Sequence, residues 1–157
     1  MMWSEVFLRP EKLKQARKDY EAKKISKEEL TKVEDACITD LIQKEKAAGL
    51  HVITDGEFRR ATWHLDFMWG FDGVSHTPTK TGLPFHGEAA MIDDTYITEK
   101  VGMNGTHPFV EHFKFVKQFE DENTVARQTI PAPAQLLAEL FREENGKNTV
   151  KFYPDEE

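Results

Sequence analysis

Leu50-His51-Val52-Ile53-Thr54-Asp55-Gly56 reads as a short buried strand ending in a polar tip, and it decides the fold class. It follows at once on Gly49, which stands where a helix C′ residue belongs. The helix that Gly49 ends is opened by Ser26-Lys27-Glu28-Glu29, a capping box in which the Ser26 hydroxyl accepts from a backbone N–H and Glu29 reaches back. Between cap and stop, Leu30, Val33, Cys37, Leu41 and Ala48 form one apolar stripe, with Ile38 and Ile42 beside it. The pattern predicts a helix of about six turns. A helix feeding a buried strand through a tight Gly-containing turn is half of a βαβ unit.

Upstream, Pro10 suits a first helical turn, and Leu13, Ala16 and Tyr20 carry helical spacing through Glu21 before the Lys23-Lys24-Ile25 link. Downstream, Glu57 to Gly73 is dense in aromatic and charged residues without a clean period, as functional loops are. Val74 to Glu88 holds Pro78, Gly82, Pro84 and Gly87 and reads as an irregular excursion or hairpin. Ile97 to Val101 is a candidate strand. Pro108 to Phe119 carries Phe109, Phe113, Val116 and Phe119 on one helical face. Thr124 to Ile130 is the next strand, stopped by Pro131-Ala132-Pro133, and Ala134 to Phe141 is a short helix. The order predicts a parallel α/β architecture with reactive side chains at the C-terminal ends of its strands. A closed (β/α)₈ barrel takes roughly 200 residues or more, and 157 residues with three or four strands are too few to close one, so the chain reads at most as a partial TIM barrel. The expectation is its front half, three to four βα units, as a single domain over residues 1–157.

Composition narrows the function classes. The chain is 39% hydrophobic with 11 Phe, 3 Trp and 3 Tyr, enough apolar material for a core. No apolar run approaches the roughly 20 residues that span a bilayer, and no charged n-region precedes an apolar h-region. The net charge of −7 argues against nonspecific nucleic-acid binding and for a soluble, cytoplasmic protein. Cys37 is the sole cysteine, which excludes an internal disulfide framework and any CxxC site. His76, His86, His107 and His112 show no HxH or HExxH spacing, so no metal site is expected from this chain. GxGxxG, GxxxxGK[ST] and GxSxG are absent, which removes the common nucleotide-loop and serine-hydrolase readings.

The chemistry concentrates in Thr54-Asp55-Gly56-Glu57-Phe58-Arg59-Arg60. Asp55 and Glu57, just past a strand, can coordinate a cation, hold a substrate ammonium or act as acid and base. Arg59 and Arg60 can clamp a carboxylate or phosphate through their planar forks. The same residues also fit a charged loop whose pairs satisfy one another in solvent. Trp63-His64-Leu65-Asp66-Phe67-Met68-Trp69 adds aromatics that either stack a flat heterocycle or pack under the loop. His51 reads as structural, and Cys37, on an apolar stripe, as a small core residue.

The Thr54–Arg60 block, followed by Trp63-His64-Leu65-Asp66-Phe67 and Trp69-Gly70, resembles the cobalamin-independent methionine synthase family, above all its short, single-barrel bacterial members. Phe7-Leu8-Arg9-Pro10 and Thr129-Ile130-Pro131-Ala132-Pro133-Ala134-Gln135-Leu136 are similar to family segments too, and together they cover about the first half of the family's catalytic barrel. The resemblance implies a (β/α)₈ barrel that moves a methyl group from methyltetrahydrofolate to the thiol of homocysteine. It implies a zinc ion that binds the thiol and lowers its pKa. It implies that Glu57 holds the homocysteine ammonium, with Asp55, Arg59, Arg60, Trp63 and His64 as further substrate-binding residues and Pro131, Pro133 and Gln135 on the folate side.

Two departures stand beside it. The family's N-terminal strand and His-Val-Gly-Ser type loop would precede Phe7, where this chain has Trp3-Ser4-Glu5-Val6. The family's zinc ligands are His, Cys, Glu and Cys from the second half of the barrel, whereas Cys37 precedes the Asp55-Gly56-Glu57 block. The expectation is a truncated chain, inactive alone, that binds no zinc itself and self-associates through the open strand edges of a half-barrel. Competing readings are a non-catalytic amino-acid- or anion-binding or assembly module, and a uroporphyrinogen-decarboxylase-like barrel enzyme whose arginines hold carboxylates without metal.

Overall fold

A computed structural model describes residues 7–77, 83–85, 88–90, 93–103, 105–142 and 144–154. Trp3-Ser4-Glu5-Val6 and His86 lie outside them. In chain order the elements are α1 (Glu11–Glu21), α2 (Lys27–Ala47), β1 (Val52–Ile53), α3 (Leu65–Met68), β2 (Asp72–Thr77), β3 (Leu83–Phe85), β4 (Glu88–Ala90), β5 (Asp94–Gly102), α4 (Pro108–Lys117), β6 (Val125–Ala126), α5 (Pro133–Leu140) and α6 (Glu144–Phe152). The chain is a mixed α/β protein that divides into two compact units, Met1–Ala61 with Val110–Thr129, and Thr62–Phe109 with Ile130–Glu157.

The first unit is built on α2. Its capping box forms as read, Glu29 N donating to Ser26 Oγ at 3.2 Å and Ser26 N to Glu29 Oε2 at 2.8 Å. Gly49 ends the helix with φ +77°, a left-handed turn that favours glycine. The inward stripe of Leu30, Cys37, Ile38, Leu41 and Ile42 is buried, and Ala48, at the C-cap, is exposed. Leu13 of α1, Ile53 of β1, Phe58 and Val116 of α4 close on that stripe to make the core. Burial pushes the Cys37 thiol pKa up, which makes it an inert core residue.

β1 and β6 pair in parallel, Val52 opposite Val125 and Ile53 opposite Ala126. Val125 N donates to His51 O at 2.9 Å and Arg127 N to Ile53 O at 3.0 Å. The strand read over Leu50–Gly56 is therefore only two residues long. Beyond Ile53, side chains take over the backbone: Thr54 N donates to Glu45 Oε2, Gly56 N to Thr54 Oγ1 and Glu57 N to Asp55 Oδ1. These local bonds compete with a ladder and turn the chain away from it.

In the second unit the sequence reading needs correction. Ile97–Val101 lies inside β5, but β5 pairs antiparallel with β2, Val74 opposite Ile97, and so is not a strand of a parallel sheet. The Val74–Glu88 excursion supplies β2, and β3 and β4 pair antiparallel as well. Among the described residues β1–β6 is the one parallel pair. Gly73, φ +79°, sits at the bulge in β2, where an added Cβ would stand 2.8 Å from Lys100 O. The helix α6, which the reading did not include, packs on β5, with Tyr153 Oη accepting from Val101 N at 2.9 Å. His107 is buried among Phe67, Phe71 and Phe109. Its Nε2–H donates to Phe67 O at 2.8 Å and its Nδ1 accepts from Phe109 N at 3.1 Å, which makes it a fully satisfied neutral core histidine.

No helix among the described residues is long and apolar enough to cross a membrane.

Candidate functional site

The C-terminal tips of the parallel pair β1–β6 carry the charged cluster. Glu57 occupies a left-handed backbone conformation, φ +58°, unusual for a residue with a side chain. The Asp55 carboxylate stabilises it by accepting from Glu57 N at 2.9 Å. Arg9, just before α1, donates to the Arg60 carbonyl at 2.6 Å and braces the loop from the outside.

Arg60 is 1% exposed. Its Nη1 donates to Glu57 Oε1 at 2.9 Å, and its Nη2 to Thr129 O at 2.6 Å and Thr129 Oγ1 at 2.8 Å. The Thr129 hydroxyl in turn donates to Glu57 Oε1 at 2.8 Å. One carboxylate oxygen thus takes two donors. Glu57 Oε2 takes none from the described residues, and the side chain is 14% exposed. Asp55, 3% exposed, keeps a buried Oδ2 with no hydrogen-bond partner among the described residues, as does Gln128 with its Oε1. Such buried acceptors are satisfied by a donating ligand or by an ordered water.

Arg59 points elsewhere. Its guanidinium bonds Glu34 and Asp35 of α2, its Nη2–Asp35 Oδ1 contact being the closest, and stacks over Phe115 at 5.0 Å. Glu34, 2% exposed, also meets Arg17 at 3.2 Å; burial raises its pKa although Lys27, Arg17 and Arg59 oppose the rise. His112 of α4 lines a cavity of about 340 Å³ with Lys27, Glu34, Asp35 and Arg59. Burial, then the positive charge of Arg59, lowers its pKa to about 4, against the pull of Asp55.

Trp63, His64, Pro131, Pro133 and Gln135 belong to the second unit. Trp63 is 53% exposed, and its ring lies 4.3 Å from that of the buried His64. His64 Nε2 is 3.3 Å from Glu139 Oε1 of α5. Pro131 is buried, Pro133 opens α5 where a missing N–H costs nothing, and Gln135 is half-buried in its first turn. Of the residues singled out from sequence, Asp55, Glu57 and Arg60 come together at one strand tip. Thr129 and Glu139 were missed. Thr129 carried a signal, its place at the end of the next parallel strand; Glu139, an ordinary helical carboxylate, carried none. No group of three or more His, Cys, Asp or Glu able to hold a metal occurs among the described residues, and buried Cys37 does not fit a thiolate zinc site.

No protein-family model matches the chain. The uncharacterized proteins YxjG and YxjH of Bacillus subtilis (strain 168) are 36% and 35% identical to it over 130 residues, which is 83% of this chain and 34% of each relative. The chain thus spans about a third of the length of the curated relatives it matches. A crystal structure of a Listeria monocytogenes protein assigned as a vitamin-B12-independent methionine synthase superposes with a TM-score of 0.67 at 34% identity, covering 93% of this chain and 43% of that one. The structure of a B12-independent methionine synthase from Shewanella sp. W3-18-1, in complex with selenomethionine, shares the fold at a TM-score of 0.56 and 18% identity, covering 82% of this chain and 37% of that one. The resemblance read from the Asp55–Arg60 block holds across nearly the whole chain.

Proposed function

We propose that residues 1–157 form the front half of a (β/α)₈ barrel of the B12-independent methionine synthase type, contributing the amino-acid side of a homocysteine S-methyltransferase site. The observation that carries this reading is the tip of the β1–β6 pair, where, among the described residues, Glu57 Oε2 receives no donor and the buried Asp55 Oδ2 of the same loop has no hydrogen-bond partner. Such a tip accepts a primary ammonium, which has three donors and one positive charge. The similarity to methionine-synthase structures supports homocysteine, or its methylated product methionine, as the bearer of that ammonium.

In this reading Glu57 Oε2 binds and orients the amino group, Asp55 shapes the loop and supplies a second acceptor, and Arg60 holds the carboxylate in place. In the methyltransferase reading a bound zinc would supply activation of the homocysteine thiol. The described residues include no His/Cys/Asp/Glu group that would hold it, and buried Cys37 does not fit a thiolate ligand. The methyl donor is methyltetrahydrofolate, and the open edges of β1 and β6 favour association with a second copy.

Isothermal titration calorimetry with L-methionine and L-homocysteine tests the assignment. Wild-type protein binds, and Glu57→Gln, which swaps a carboxylate for a neutral amide, weakens binding by at least about tenfold. Unchanged affinity in Glu57→Gln removes Glu57 from the site.

A further inference from the structure

We propose that Thr129 is the positioning residue that sets which oxygen of Glu57 meets the ligand. The inference rests on the reading of Glu57 as the ammonium ligand and adds to it a residue three positions past the end of β6. The Thr129 hydroxyl owns a single proton. Arg60 Nη2, 2.8 Å away, is only a donor, so the hydroxyl accepts there and its proton goes to Glu57 Oε1, also at 2.8 Å. With Arg60 Nη1 on the same oxygen at 2.9 Å, Oε1 is held by groups from two segments far apart in the chain.

A glutamate side chain has three rotatable bonds, and one contact to Arg60 leaves its carboxylate free to turn about that contact. The second contact removes that freedom and leaves Oε2 as the oxygen presented. Ordering the carboxylate before the ligand arrives spares the ligand that entropic cost. The clamp also dictates ligand class. The Nη groups of Arg60 bond Glu57 and Thr129 and those of Arg59 bond Glu34 and Asp35, so the oxygen left to the ligand is a carboxylate acceptor, which suits an amine.

Thr129 also accepts from Arg60 through its backbone carbonyl, at 2.6 Å, and that bond survives any side-chain change. Thr129→Val therefore removes the hydroxyl link while Arg60 keeps its main-chain anchor, and Thr129→Ser restores the link. Two readouts are taken on all three proteins. By NMR with carboxyl-labelled glutamate, the residue-129 hydroxyl proton exchanges slowly and correlates with the Glu57 carboxyl carbon in wild type and Thr129→Ser. By calorimetry, L-methionine binds Thr129→Val at least about tenfold more weakly than wild type, and Thr129→Ser within about threefold of it. Wild-type-like affinity in Thr129→Val, or no protected hydroxyl in wild type, overturns the proposal. A protected hydroxyl in a wild-type protein that binds no amino acid upholds the clamp and sinks the amino-acid reading instead.

Discussion

Acid should destabilise the first unit through His112. The ring sits half-buried on α4 among Lys27 and Arg59 as cations and Glu34 and Asp35 as anions, with its pKa lowered from 6.5 to about 4, by burial first and by Arg59 second. The neutral imidazole is thus the folded form, and the unfolded chain binds the extra proton between pH 6.5 and 4. Stability therefore rises with pH across that window and is lost as pH falls through it. At about 1.4 kcal/mol per pKa unit the full depression is worth about 3 kcal/mol, and screening at the ring's exposed edge reduces this to about 2 kcal/mol. His112→Gln keeps a polar side chain of similar length that never titrates. Urea unfolding at pH 7, 5.5 and 4 reads the difference, with carboxylate titrations common to both proteins cancelling. Wild type should lose about 2 kcal/mol more than His112→Gln between pH 7 and pH 4, at a constant m-value. Parallel profiles for the two proteins, or a wild type that gains on the variant in acid, would refute the placement of a neutral His112 in that cavity.

Gly70→Ala places a Cβ 2.3 Å from His107 Nε2, so the buried ring must leave Phe67 O; urea unfolding should show a loss of about 2–4 kcal/mol. Gly105→Ala meets nothing within 4 Å and should stay within about 0.5 kcal/mol of wild type; equal effects for the two would sink the steric argument. Light scattering behind size-exclusion chromatography should show a mass rising with concentration, and a monomer mass held through a dilution series would count against pairing through the open edges of β1 and β6.

The site was half legible in sequence. Asp55 and Glu57 stood out because two carboxylates two residues apart after a helix–glycine–strand signal can only lie at a strand tip. Arg59 and Arg60, adjacent and alike in sequence, read together either as an anion clamp or as part of a self-paired charged loop. The fold separates them: Arg60 turns to Thr129, just past β6, and Arg59 to Glu34 and Asp35 on α2. Buried Glu34 and Glu45 were invisible for the same reason, since their partners Arg17, Arg59 and Thr54 are far away or unremarkable in the chain.

Local chemistry sufficed for α1, for α2 with its capping box and Gly49 stop, and for the start of β1, because caps, periodicity and left-handed glycines act over a few residues. It also sufficed to place the charged loop directly after a strand. Pairing partners needed the tertiary structure. β5 has the same apolar alternation whether its neighbour runs parallel or antiparallel, and the bulge at Gly73 that seats β2 against it is a contact between residues some 25 positions apart in the chain. Thr129 likewise joined the candidate site only when β6 was laid beside β1, bringing its hydroxyl, 72 residues along the chain, to 2.8 Å from Glu57.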